Sequence, residues 1–167
     1  MKSRRTAGFT LSETLTTVLL LGIIFAAVGG GVVVLRNSYM AITEKADAQV
    51  LLSTAVTQIS GDLHSATMSM KKEGIDNPFY YCSNRGVAIQ YQESGDNGIT
   101  VVTYDGESDS LVTKVASTKL VLAINGFAYD AASNTFSMTI SVNKGTNTIE
   151  STSLTVRPFN TVAVQGS

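Results

Sequence analysis

The feature that most limits what this chain can fold into is an uncharged apolar run from Thr14 to Leu35. A single carboxylate, Glu13, stands at its head, and Lys2, Arg4 and Arg5 precede it. As a helix the run extends about 33 Å, enough to cross a bilayer core. A carboxylate inside such a run is costly in lipid, roughly 2.5 kcal/mol or more at mid-bilayer, unless it is paired. The basic residues predict that this end stays cytoplasmic and that the rest of the chain lies outside. Two interpretations compete: a cleavable secretory signal, with Ala26, Ala27 and Gly29-Gly30-Gly31 as its small-residue cleavage region, or a retained membrane helix. Glu13 fits the first poorly, because a signal peptide gains nothing from an acid at the head of its hydrophobic region.

The remaining length suits one domain of ordinary size. The chain carries 12 basic and 13 acidic residues, three of the basic ones in the leader. The body is therefore mildly acidic, which argues against a general nucleic-acid-binding surface. Cys82 is the single cysteine, so no intrachain disulfide framework exists. Abundant Ser, Thr, Asn and Gly with few charges predict a β-rich exported domain.

A short basic leader ending in Gly8, then Phe9-Thr10-Leu11-Ser12-Glu13 and a membrane-length apolar run, resembles the class III signal of type IV pilins and pseudopilins. The resemblance implies that prepilin peptidase cuts between Gly8 and Phe9 and that the new amino terminus on Phe9 is N-methylated. It also implies that Glu13 is the acid of the mature helix, and that the apolar helix is kept. A freed amine on Phe9 supplies a cation, and staggered helices in a bundle place one subunit's terminus beside the next subunit's Glu13. The alternative for Glu13 is a place in the headgroup layer, where the helix macrodipole favours an anion.

Gly30 stands where many pilins of this family have a proline. With Gly29 and Gly31 it marks either a site of local bending during assembly or close helix packing through small residues. From Tyr39 to Met70, Ile42, Ala46, Leu52, Val56, Ile59, Leu63, Ala66 and Met70 recur at helical spacing, predicting one buried face. The opposite face carries Glu44, Lys45, Asp47, Gln58 and Asp62. The expected helix is about 90 Å long, closed by Gly74. Ile59–Ala66 is similar to the helix end of minor, J-type pseudopilins. His64, the only histidine, is expected on the helix surface beside Leu63.

Ile75–Arg85 is expected to be a connecting loop whose Phe79, Tyr80 and Tyr81 either plug the core or form a contact patch, with Cys82 a partly buried free thiol. The period then falls to two. Val87–Tyr91, Ile99–Tyr104, Leu111–Val115, Lys119–Ile124, Phe127–Tyr129, Thr135–Val142 and Thr148–Val156 are predicted strands, with turns at 94–98, 105–109, 130–134 and 143–147. Ser151–Asn160 resembles the last strand of many minor pilins from Gram-positive bacteria, which commonly finish in an Arg-Asn-like sequence; here Pro158-Phe159 intervene between Arg157 and Asn160. Asp105, Glu107 and Asp109 are read as a solvated turn rather than a calcium site. No phosphate loop, nucleophile elbow or zinc spacing occurs.

The predicted fold is α+β, a pilin-type long N-terminal helix packed on a C-terminal antiparallel β domain. Its expected segments are residues 1–8 (leader), 9–35 (membrane and filament-core helix), 36–73 (amphipathic continuation) and 74–167 (β-rich head). The expected function is that of a non-enzymatic minor pilin or pseudopilin of a type IV pilus, competence pilus or type II secretion-like filament, without cofactor or metal. Expected partners are prepilin peptidase, other pilin or pseudopilin subunits, a membrane assembly platform and the cytoplasmic membrane, with no firm nucleic-acid binding. The alternatives are a major pilin, or an exported or membrane-anchored β-domain receptor or enzyme with an ordinary signal peptide.

Overall fold

A computed structural model describes residues 10–75, 77–94, 98–111 and 119–164. The chain divides into two compact units between Thr43 and Glu44. One helix, α1 (Leu11–His64, 54 residues), contributes to both.

In the first unit every described residue from Thr10 to Thr43 is exposed. Leu15, Val18, Ile23, Phe25, Val28, Val32 and Leu35 point outward around the whole circumference, so this surface is apolar on all sides. The polar residues within it hide their hydroxyls. Thr16 donates to the Ser12 carbonyl at 2.8 Å, Thr17 to the Glu13 carbonyl at 2.7 Å and Thr14 to the Leu11 carbonyl at 2.8 Å. Satisfied internally, these threonines present mainly methyl groups, as an apolar surrounding requires. α1 is long and apolar enough to cross a membrane.

The second unit packs the rest of α1 on two sheets. Ala48, Leu51, Leu52, Ala55, Ile59, Asp62 and Leu63 form its buried face. Beyond it come β1 (Ala66–Met70), β2 (Phe79–Cys82), β3 (Val87–Glu93), β4 (Ile99–Thr103), β5 (Ser108–Ser110), β6 (Leu120–Asp130), β7 (Thr135–Lys144), β8 (Asn147–Val156) and β9 (Ala163–Val164). The strand orders are β5-β4-β3-β2-β1-β9 and β6-β7-β8. All pairs are antiparallel except β1–β9. The architecture is thus α+β, a long N-terminal helix packed through its second half on an antiparallel β domain.

Alternation explains the core. Phe136, Met138, Ile140 and Val142 of β7 are buried, as are Leu120 and Leu122 of β6, while their sequence neighbours, apart from the buried Ser141, face outward or lie half-buried. Phe136, fully buried, meets the rings of Tyr80 and Tyr129 at centroid distances of 4.8 Å each. The two sheets are joined where Glu93 accepts the Ile124 N–H at 2.7 Å. Gly98 (φ +73°) lets β4 start within van der Waals reach of the Leu122 backbone, where a Cβ would stand 3.3 Å away.

Several local expectations change. α1 stops at His64, short of residue 73, and Ala66–Met70 is β1. The spacing of Leu63, Ala66 and Met70 suits a helix, but backbone pairing to β2 and β9 outweighs it. Ile42 and Ala46, assigned to the buried stripe, are exposed, and the buried face begins at Ala48. Phe79–Cys82, expected in a loop, is β2: Tyr80 enters the main core, and Phe79 is buried beside Tyr104 at 5.5 Å. Cys82 is wholly rather than partly buried. Ser108–Ser110 forms β5, which overlaps the end of the expected 105–109 turn, and of the expected strand Leu111–Val115 only Leu111 lies among the described residues.

Candidate functional site

The predicted processing residues Gly8 and Phe9 lie outside the described residues. The described part of the site begins at Thr10, which caps α1. The Glu13 carboxylate accepts the Thr10 N–H at 3.0 Å and the Thr10 hydroxyl at 3.0 Å, while the Glu13 N–H approaches Thr10 Oγ1 at 3.4 Å. This is a reciprocal capping box, which satisfies donors that the first helical turn leaves free. Its signal, Thr-x-x-Glu, is present in the sequence but is overshadowed there by the acid's place in an apolar run. Glu13 is exposed, so its second carboxylate oxygen remains open to an external cation.

Gly29, Gly30 and Gly31 lie within continuous α-helix, and a Cβ on any of them would meet nothing within 4 Å. They leave a strip of bare backbone on the exposed apolar surface, open to another helix. Glycine's conformational freedom also makes this the part of α1 that bends at least cost.

A second cluster lies in the head. Asp62, assigned by periodicity to the polar face, is buried with 3% exposure. Its Oδ1 accepts Asn84 Nδ2 at 2.9 Å, and its Oδ2 accepts the Tyr91 hydroxyl at 2.9 Å and Arg85 Nη2 at 2.7 Å. The turn between β2 and β3 reaches the same helix end through Ser83, whose N–H donates to the Ser65 carbonyl at 3.1 Å. A buried acid with three donors is a structural clamp that fixes where α1 ends. Arg85 beside Asp62 has its pKa raised chiefly by that hydrogen bond, and Tyr91 is pushed well above the ordinary phenol value, chiefly by burial.

Burial pushes the Tyr80 hydroxyl and the Cys82 thiol each up to about 12. Cys82 is thus a protonated core side chain, not a nucleophile. Unfolded, these groups release their protons near 9 and 10, whereas the folded chain holds them to about 12. Their contribution to stability is complete below pH 9 and is lost as the pH rises towards 12. Urea titrations at pH 8 and pH 11 should therefore show the lower midpoint at pH 11. An unchanged midpoint would mean that neither group is shielded.

His64 is half-buried at the end of α1 rather than free on its surface. Its Nδ1 lies 2.7 Å from the Arg157 carbonyl, and its ring stacks on Phe159 at 5.2 Å. Because a carbonyl only accepts, Nδ1 carries the proton. Among the described residues no group of three or more His, Cys, Asp or Glu side chains is placed to hold a metal ion. Comparison with protein-family models, with curated proteins and with solved structures yields no match.

Proposed function

We propose that the chain is a non-enzymatic minor subunit of a type IV pilin-like filament, stored in the cytoplasmic membrane and processed between Gly8 and Phe9. The observation that carries this is the joining of three parts in one helix. An acid-headed start at Thr10–Glu13 leads into a fully exposed apolar length, which continues into a half buried against a β domain. An ordinary signal sequence has no need of the last part. An apolar surface exposed on every side needs lipid or other helices around it.

In this reading the basic leader holds the N-terminus in the cytoplasm and the β head lies outside. Prepilin peptidase removes residues 1–8 and methylates the amine of Phe9. An assembly platform then moves the helix from lipid into a bundle of like helices, exchanging one apolar environment for another. Glu13 is the group for which that exchange matters most: in the bundle its open oxygen meets the Phe9 amine of a neighbouring subunit, and both charges are compensated. Gly29-Gly30-Gly31 provides the place where the helix adapts its curvature as it changes surroundings.

The deciding measurement is mass analysis of the N-terminal peptide of the mature protein from cells that contain prepilin peptidase. N-methyl-Phe9 is expected. A terminus near Val32 would instead indicate ordinary signal cleavage, and an intact Met1 would remove the processing step altogether.

A further inference from the structure

Phe159 is the most exposed large hydrophobic among the described residues of the head, at 82%. Exposed aromatics on free chain ends cost little, but this one is held from several sides. Its N–H donates to the His64 carbonyl at 2.9 Å, and its ring lies on the His64 imidazole with 24° between the planes. The preceding Pro158 is buried. The Asn160 carbonyl accepts Asn134 Nδ2 at 3.3 Å, from a residue in the left-handed conformation (φ 51°). A ring fixed in advance loses little entropy on binding, which is the property of an aromatic anchor.

The same head carries an apolar groove of about 350 Å³ between α1 and β8, with Leu52 and Val56 on one wall and Leu154 on the other. Among the described strands β8 is the last of its sheet, so its outer backbone edge, beside this groove, pairs with no other described strand. Glu150 is the only charged lining residue. Arg157, two residues before Phe159, is exposed, and neither Arg157 nor Glu150 makes an ion pair among the described residues. Knob and groove thus carry opposite charges beside complementary apolar surfaces.

A chain cannot fill its own groove with this ring, because the ring is stacked on its own His64. His64 also lies about 18 Å beyond Leu52 along the helix, at 1.5 Å per residue. We infer that the groove receives Phe159 of a second copy of this chain, with Arg157 of that copy beside Glu150. Two different patches meet in this contact, so it is heterologous: it joins copies head to tail and, without closing, extends them into a line. For copies in the same orientation each step displaces the next along the helix axis by about that same 18 Å. The inference rests on the filament-subunit reading for its setting, and adds to it a contact between heads that the membrane helix does not make.

The test uses full-length protein in cells, with two differently tagged copies bearing Asn160→Cys, which keeps the Phe159 ring beside it, and Ser53→Cys; Asn160 is exposed, and Ser53 lines the groove and is exposed. The native Cys82 is buried and stays silent. The mixed pair should form a disulfide-linked dimer about tenfold more than two Asn160→Cys copies or two Ser53→Cys copies. Arg157→Glu in the first copy should lower that yield about fivefold, and Glu150→Arg in the second should restore it. Equal yields from mixed and like pairs, or no restoration, would overturn the contact. The N-terminal mass from the same cells separates the two ideas. N-methyl-Phe9 without the mixed dimer overturns this contact alone, whereas the mixed dimer on an unprocessed chain overturns the subunit reading alone.

Discussion

Asp62→Ala should lower the stability of the β head by about 3 kcal/mol, read as a shift in the urea midpoint of the full chain in detergent by near-ultraviolet circular dichroism of its tyrosines. Asp62 is 3% exposed, and its carboxylate accepts from Asn84, Arg85 and Tyr91 at once. Removing it strands a guanidinium and two further donors at the end of α1. The Arg85 side chain is 36% exposed and can turn towards water, which places the effect at the lower end of the range for a broken buried pair. Asp62→Asn keeps the shape and an acceptor for Tyr91, and should lose less than the alanine variant. A loss under about 1 kcal/mol for Asp62→Ala would mean that water replaces all three partners and that the cluster does not clamp the helix.

If the chain is the filament subunit proposed above, Glu13→Ala should leave cleavage at Gly8–Phe9 intact and reduce incorporation into filaments at least tenfold, measured as the variant's share of sheared, purified filaments. Leaving a neighbour's amine unpaired in an apolar bundle accounts for a factor of this order, since about 1.4 kcal/mol is tenfold. The capping box gives Glu13 a second duty, so alanine alone does not separate the two. Glu13→Gln does. Glutamine at this position can still accept the Thr10 N–H and keep the cap, but it carries no charge. If charge pairing governs assembly, the glutamine variant fails as the alanine one does; normal incorporation of Glu13→Gln would assign Glu13 to capping and end the pairing mechanism.

Most of the strands were legible because their sequence alternates. Phe136, Met138, Ile140 and Val142 spell the core face of β7, and the structure buries all four. Where the pattern was ambiguous, neighbours decided. Ala66–Met70 reads equally as the end of a helix, and Phe79–Cys82 as a loop, until β1 and β2 are seen to pair with each other. Neither segment carries enough alternation to declare itself, since each is short and buried on parts of both faces.

The site residues divide in the same way. The Thr10-x-x-Glu13 cap is local, made within one helical turn, and was present in the sequence as a spacing. Asp62 was not legible as buried: a lone acid on an amphipathic helix belongs by pattern to the polar face, and its partners Asn84, Arg85 and Tyr91 are 22, 23 and 29 residues away. The pairing of Phe159 with His64 is likewise invisible along the chain.

Short-range periodicity and the transfer of side chains out of water set the acid-headed apolar helix, the amphipathic length that follows it and the β-rich character of the rest, so these can be read along the chain. Where the helix ends, which acid is buried and which aromatic stays outside are settled only in three dimensions. Those outcomes depend on backbone and side-chain groups far apart in the chain finding one another, and no spacing along the sequence encodes such meetings.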